Sequence, residues 1–184
     1  MKTMCQRLLV VLIICAAALT SFAKEKTVDQ LIAELSSPKP NVVVSALQNL
    51  EKSYPTDVNA QAKIKPLLAD PRATVKRKAA RVLGVMNAEV SSEDLKNIVT
   101  LLSGDKGEKT DGLKALRGLK AQSTISQITP LLKDPDKNVM RDAIRKLAVL
   151  GDKSLVPTIQ PFLTVPDLAV QKDAADAIAI LKEK

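Results

Sequence analysis

The stretch VKRKAARVLG, Val75–Gly84, decides how the rest of the chain is read. Its apolar residues Val75, Ala79 and Leu83 fall at i, i+4 and i+8, the spacing of one helical face, and Lys76, Arg77, Lys78 and Arg81 fill the others. The same triplet recurs as Val42, Ala46, Leu50, as Val139, Ala143, Leu147 and as Val170, Ala174, Ile178, with a weaker copy at Glu108, Gly112, Leu116. First anchors at 42, 75, 108, 139 and 170 are spaced by 33, 33, 31 and 31 residues. A period of this size across five units is the signature of a stacked repeat.

Each unit carries a second apolar pattern upstream. IKPLLADP, ITPLLKDP and IQPFLTVP begin at 64, 128 and 159, each eleven residues before its anchor valine. The first unit aligns through Leu31, Leu35 and Pro38, and the third through Leu101 and Gly104. Helical spacing followed by a turn proline or glycine predicts helix A, a tight turn, helix B and a short link. A small residue at the middle anchor lets paired helices approach closely. TVDQ, Thr27–Gln30, predicts a capping box at the first helix.

The pattern L-L-x-D-P-x-x-x-V-[basic]-x-x-A-A-x-x-L-G resembles HEAT repeats, in particular the short HEAT-like units of phycobilin lyases, and covers residues 28–184. The resemblance implies an all-α solenoid, a right-handed superhelical stack of about five helical hairpins with B helices along its concave side. The expected repeats are 28–61, 62–94, 95–127, 128–158 and 159–184, forming one domain over 24–184. It also implies a pairing between the turn aspartate and a basic residue opening helix B: Asp70 with Lys76, and Asp134 with Arg141 as a substitute. The third unit departs from the pattern, with Glu108 at its anchor and Gly104, Gly107, Gly112 and Gly118 within fifteen residues. Glycine inside a helix costs about 1 kcal/mol relative to alanine, which predicts the loosest backbone between Gly104 and Gly118.

Residues 1–23 read as a secretory signal: Lys2 and Arg7, an apolar run from Leu8 to Leu19, then small residues at Ser21 and Ala23. The expected cleavage lies between Ala23 and Lys24. As an anchor the twelve-residue run would reach about 18 Å across a hydrocarbon core of about 30 Å. A lipoprotein signal requires a small residue before its cysteine, and Ile14 precedes Cys15. Export to the periplasm is therefore expected, with secretion as the alternative and no stable membrane insertion after cleavage.

Removal of this segment takes both cysteines, Cys5 and Cys15, and leaves a 161-residue chain without Cys or His. It also takes two of the 28 basic residues and none of the 20 acidic ones, for a net charge of +6. Without His or Cys the usual nucleophile–base pairs and soft metal sites are missing, so no catalytic residue, metal or cofactor is expected. Glu93 with Asp94 and Asp134 with Asp136 are adjacent carboxylates, but they sit where helix starts and turns favour acids. The resemblance to phycobilin lyases raises bilin chemistry as a less favoured reading. Only Tyr54 and Phe162 remain as aromatics, too few to stack nucleic-acid bases, and no nucleic-acid partner is expected.

With the first anchor of helix B as position zero, positions +2 and +6 lie on a face turned from the core seam. Stacked repeats align Arg77, Arg81, Lys114, Arg141, Arg145 and Lys172 into a basic stripe. Two functions follow: a scaffold binding an acidic segment of another protein along the B helices, or an adaptor for a polyanion or anionic envelope surface. Against both stands a solvated face neutralised by its own acids, with Asp111 pairing Lys114 and Asp142 pairing Arg145 or Lys146. On that accounting Arg77 and Arg81 are the freest cations, because their repeat has no acid at +3.

Overall fold

The computed structural model describes residues 25–184, so the expected signal segment and its Ala23–Lys24 junction lie outside the described residues. The described chain is all-helical. The B helices are α2 (Pro40–Ser53), α4 (Ala73–Val85), α6 (Lys106–Gly118), α8 (Lys137–Leu150) and α10 (Leu168–Lys182). The A arms contain α1 (Val28–Glu34), α3 (Val58–Ile64), α5 (Ser92–Val99), α7 (Ile125–Ile128) and α9 (Val156–Ile159). Each B helix packs against its own A arm and against the B helix of the next repeat, in sequential order along the stack.

Physical causes for these boundaries are local. Thr27 and Gln30 form the expected capping box. Asp105, Asp136 and Asp167 cap α6, α8 and α10 by accepting from backbone N–H groups of the first turn. The A arms tighten midway into 3₁₀ turns over Lys65–Ala69, Thr100–Ser103, Thr129–Lys133 and Gln160–Thr164. Pro66, Pro130 and Pro161 lack the N–H that would continue an α-helix there. The third arm tightens without a proline, so the short climb into the turn belongs to the hairpin and the proline merely suits it.

The anchors behave as the repeat predicts in units two, four and five: Val75, Ala79, Leu83, Val139, Ala143, Leu147, Val170, Ala174 and Ile178 are buried. Two anchors differ. In the first unit Val43 is buried while Val42 is only half-buried. In the third, Glu108 is not a core anchor but the third residue of a capping box. Its carboxylate accepts from the Asp105 N–H at 2.9 Å, and its own N–H donates to Asp105 at 2.8 Å.

Turn pairings also differ from the expected ones. Asp70 accepts from Arg72, not Lys76, through Nε at 2.8 Å and Nη2 at 2.7 Å, and Arg72 reaches back to the Ser37 carbonyl of the preceding turn. This guanidinium holds the Asp70 carboxyl below its ordinary range. Asp134 is buried and takes its proton donor from Lys109 of the preceding repeat at 2.7 Å, not from Arg141. Asp70 thus closes its own turn and holds the arginine that reaches the preceding repeat, whereas Asp134 is itself bonded to the preceding repeat.

Candidate functional site

The six stripe residues lie on successive B helices, as the repeat spacing requires, but the two columns differ in availability. At +2, Arg77 Nε donates to Asp111 at 2.9 Å and Arg141 Nε donates to Asp173 at 2.6 Å, each bond crossing to the next repeat. Asp173 raises the Arg141 pKa further by accepting this bond. Arg77 is therefore not among the freest cations, and Asp111 pairs with it rather than with Lys114. Lys172 faces Asp176 at 3.4 Å on the exposed surface of the last repeat.

The +6 column is held more loosely. Arg81 stands 3.7 Å from Glu51, whose second oxygen already accepts from Lys78 at 2.6 Å. Arg145 pairs with Asp142 at 2.7 Å, as expected, and stands 3.8 Å from Asp173. Among the described residues Lys114 has no carboxylate at ion-pair distance. Of the stripe, then, Arg81, Lys114 and Arg145, on the middle three B helices, come together at one depression.

These three side chains line one depression of about 590 Å³ with Arg117, Lys146 and Asp142, over a floor of Gly84, Val85 and Gly118. Five cations face one carboxylate there. The floor exists because α4 and α6 nearly touch: a Cβ on Gly118 would stand 1.9 Å from the Gly84 carbonyl oxygen. Asn87 closes one end at φ 49°, just after α4, where the Ala88 N–H returns to the Leu83 carbonyl at 3.0 Å.

Lys146 is the residue that the stripe reasoning missed. It occupies +7, where the neighbouring repeats place Val82, Ala115 and Ala177, exposed by 0%, 0% and 2%; Lys146 itself is 4% exposed. A lysine in a column that is apolar in repeats two, three and five, with exposed Asn49 in the first, was visible in the repeat alignment, but only with +7 recognised as a core position. Burial, together with the positive charges of Arg117, Arg145 and Lys114 and against the opposing Asp142, lowers its pKa from 10.5 to about 8.

A second feature runs beside the cations. At +10, Val85, Val149 and Ile180 are exposed by 53%, 42% and 42%. Val149 and Ile180 line a smaller depression with Ala148 and Ala177, whose charged rim holds Arg117 and Arg145 together with Asp173 and Asp176. The B-helix face therefore carries an apolar column alongside a basic one. The adjacent carboxylates considered for catalysis have structural partners: Asp94 caps α5 through Ser91, Glu93 meets Lys96, and Asp136 caps α8.

Residues 112–184 match the model for HEAT repeats. Among solved structures, the complex of CpcE and CpcF of phycocyanin lyase from Nostoc sp. PCC7120 superposes with a TM-score of 0.74 at 22% identity, covering 90% of this chain and 68% of that one. An engineered protein superposes with a TM-score of 0.65 at 22% identity, covering 84% of this chain and 78% of its own. No curated protein matches the sequence. The described chain therefore has an α-solenoid fold of HEAT-like helical hairpins, and its residues 112–184 match HEAT repeats.

Proposed function

We propose that the protein is a non-catalytic scaffold, exported to the periplasm, that binds an acidic segment of a protein partner along its B helices. The observation that carries this reading is the paired column on that face: exposed Val85, Val149 and Ile180 beside Arg81, Lys114 and Arg145. Apolar area supplies most of the association energy, while flanking cations steer an acidic chain and fix its register. HEAT repeats generally mediate protein interactions, in keeping with this use of the surface. The export half of the proposal rests on the signal-like first 23 residues; among the described residues, no helix is long and apolar enough to cross a membrane.

The same surface disfavours the polyanion reading. Arg77 and Arg141 are spent on joining repeats, so the face has less diffuse positive potential than its lysine and arginine count suggests. The test is a crosslinking capture from the native envelope with the natural protein and a Val149→Glu, Ile180→Glu double variant, followed by titration of the purified partner. Saturable one-to-one binding that the double variant loses while keeping its helical circular dichroism supports the scaffold. Undiminished binding by the variant places the interface elsewhere, and equal binding of unrelated polyanions supports the adaptor.

A further inference from the structure

Lys146 is difficult to account for as a structural residue. Its column in the adjacent repeats is Val82, Ala115 and Ala177, all buried, so an apolar side chain fills this position in three of the hairpins. A largely buried lysine among other cations is unfavourable, and among the described residues its ammonium has no hydrogen-bond acceptor or carboxylate at bonding distance, so its Nζ is left to the solvent of the depression. Its neighbours compound the strain: Lys114 and Arg117 approach from α6 and Arg145 from α8, leaving Asp142 as the one carboxylate of the depression. An arrangement that repels itself when empty becomes favourable when an anion occupies it.

We propose that the depression between α4, α6 and α8 is an oxyanion site that takes the phosphoryl dianion of a phosphate monoester, with Lys146 at its base and Lys114 and Arg117 at its rim. The charge count selects the ligand. Among the described residues Lys114, Arg117 and Lys146 are three cations without carboxylate partners at ion-pair distance, while Arg145 is already held by Asp142 and Arg81 leans on Glu51. A single carboxylate offers one charge and two acceptor atoms. A phosphoryl dianion offers two charges and three terminal oxygens, enough to meet an ammonium with three donors and a guanidinium fork. The volume of about 590 Å³ exceeds what a free phosphate fills, which favours an ester whose organic part lies over Gly84, Val85 and Gly118. This site shares Val85, Arg81, Lys114 and Arg145 with the proposed partner surface, but Val149 and Ile180 do not line it and Lys146 was not part of that surface, so the Val149→Glu, Ile180→Glu variant and Lys146→Met test the two proposals separately.

The test is calorimetric titration of the chain lacking residues 1–23 with glycerol 3-phosphate, inorganic phosphate and glutarate at low salt. Saturable binding of glycerol 3-phosphate at one site per chain is expected, weakened at least tenfold by Lys146→Met. That variant keeps an apolar residue where sister repeats have one and should fold; Lys114→Gln, at an exposed position, is the second variant and should weaken binding severalfold. Inorganic phosphate binding as tightly as the ester would assign the site to the free anion, and tighter ester binding would assign it to a larger ligand; both retain the phosphoryl site. Glutarate binding equal to the ester overturns the phosphoryl assignment. Absence of saturable binding, or full affinity in folded Lys146→Met, overturns the site.

Discussion

Gly118 lies so close to Gly84 that a methyl group on it would stand 1.9 Å from the Gly84 carbonyl oxygen, inside any van der Waals limit. A Cβ on Gly84 would in turn meet the Ala115 Cα at 2.6 Å. Both obstructing groups are backbone, so neither can swing aside. Alanine gains about 1 kcal/mol over glycine in a helix interior, but overpacking of this kind costs roughly 1–3 kcal/mol and forces α4 and α6 apart. Gly118→Ala and Gly84→Ala should each destabilise the protein on balance, by up to about 2 kcal/mol in urea unfolding. An increase in stability for either would mean the helices separate freely.

Ion pairs between repeats and within one helix should differ in worth according to burial. Lys109 and Asp134 meet at 2.7 Å with side chains 23% and 5% exposed, whereas Lys96 and Glu93 meet at 3.1 Å with 75% and 70% exposed. Removing Lys109 leaves a buried carboxylate short of a donor, though the Asp136 N–H still bonds to it at 2.9 Å. Lys109→Ala should cost about 1–3 kcal/mol. A double-mutant cycle with Asp134→Asn should return a coupling above about 0.5 kcal/mol. The Lys96–Glu93 cycle should return about 0.5 kcal/mol or less, and should vanish at high salt.

Much of the architecture was legible because its causes are local and repeated. Anchor valines, middle alanines and turn prolines recur at 31 or 33 residues, and burial of Val75, Ala79 and Leu83 follows from that spacing alone. Charge partners were less legible because they cross between repeats. Within one helix Asp111 reads as the partner of Lys114, but stacking brings Arg77 of the preceding helix to 2.9 Å from it. The glycines of the third unit illustrate the same limit. They read as loose backbone in the sequence, yet Gly118 admits the α4 backbone and Gly107 lies under the Arg77 guanidinium. Lys146 was missed for a related reason: a lysine on a helix reads as solvated until the neighbouring helices are placed.

Lys120 adopts φ 50° just beyond α6, where the Ala121 N–H closes back to the Leu116 carbonyl at 3.3 Å. The left-handed conformation costs a residue with a Cβ roughly 1–2 kcal/mol, which glycine avoids. Glycine also has more freedom to lose on folding, by about 0.5–1 kcal/mol. Lys120→Gly should therefore stabilise by about 0.5–1 kcal/mol, raising the midpoint of thermal unfolding by about 2–4 °C. The matching change at Asn87, also left-handed at φ 49°, should gain less, because asparagine tolerates this region.

The pH dependence of stability should carry the imprint of Lys146. Its pKa falls from 10.5 in a solvated chain to about 8 in the fold, chiefly through burial, then through Arg117 and Lys114 of α6 and Arg145 of α8, against Asp142. Arg81 faces the same depression from α4. Below pH 8 both folded and unfolded chains hold the proton and the fold bears the full penalty of a buried charge. Between about 8 and 10.5 the unfolded chain binds more protons than the folded one, so this residue's contribution rises with pH, and above 10.5 the penalty is gone. Lys146→Met should thus be more stable than the natural protein at pH 7, with the gap narrowing as pH climbs through that window. The comparison cancels the titration of the other lysines, since both chains share them. A gap independent of pH would mean that Lys146 titrates alike in folded and unfolded chains, and that the depression is wetter than its burial indicates.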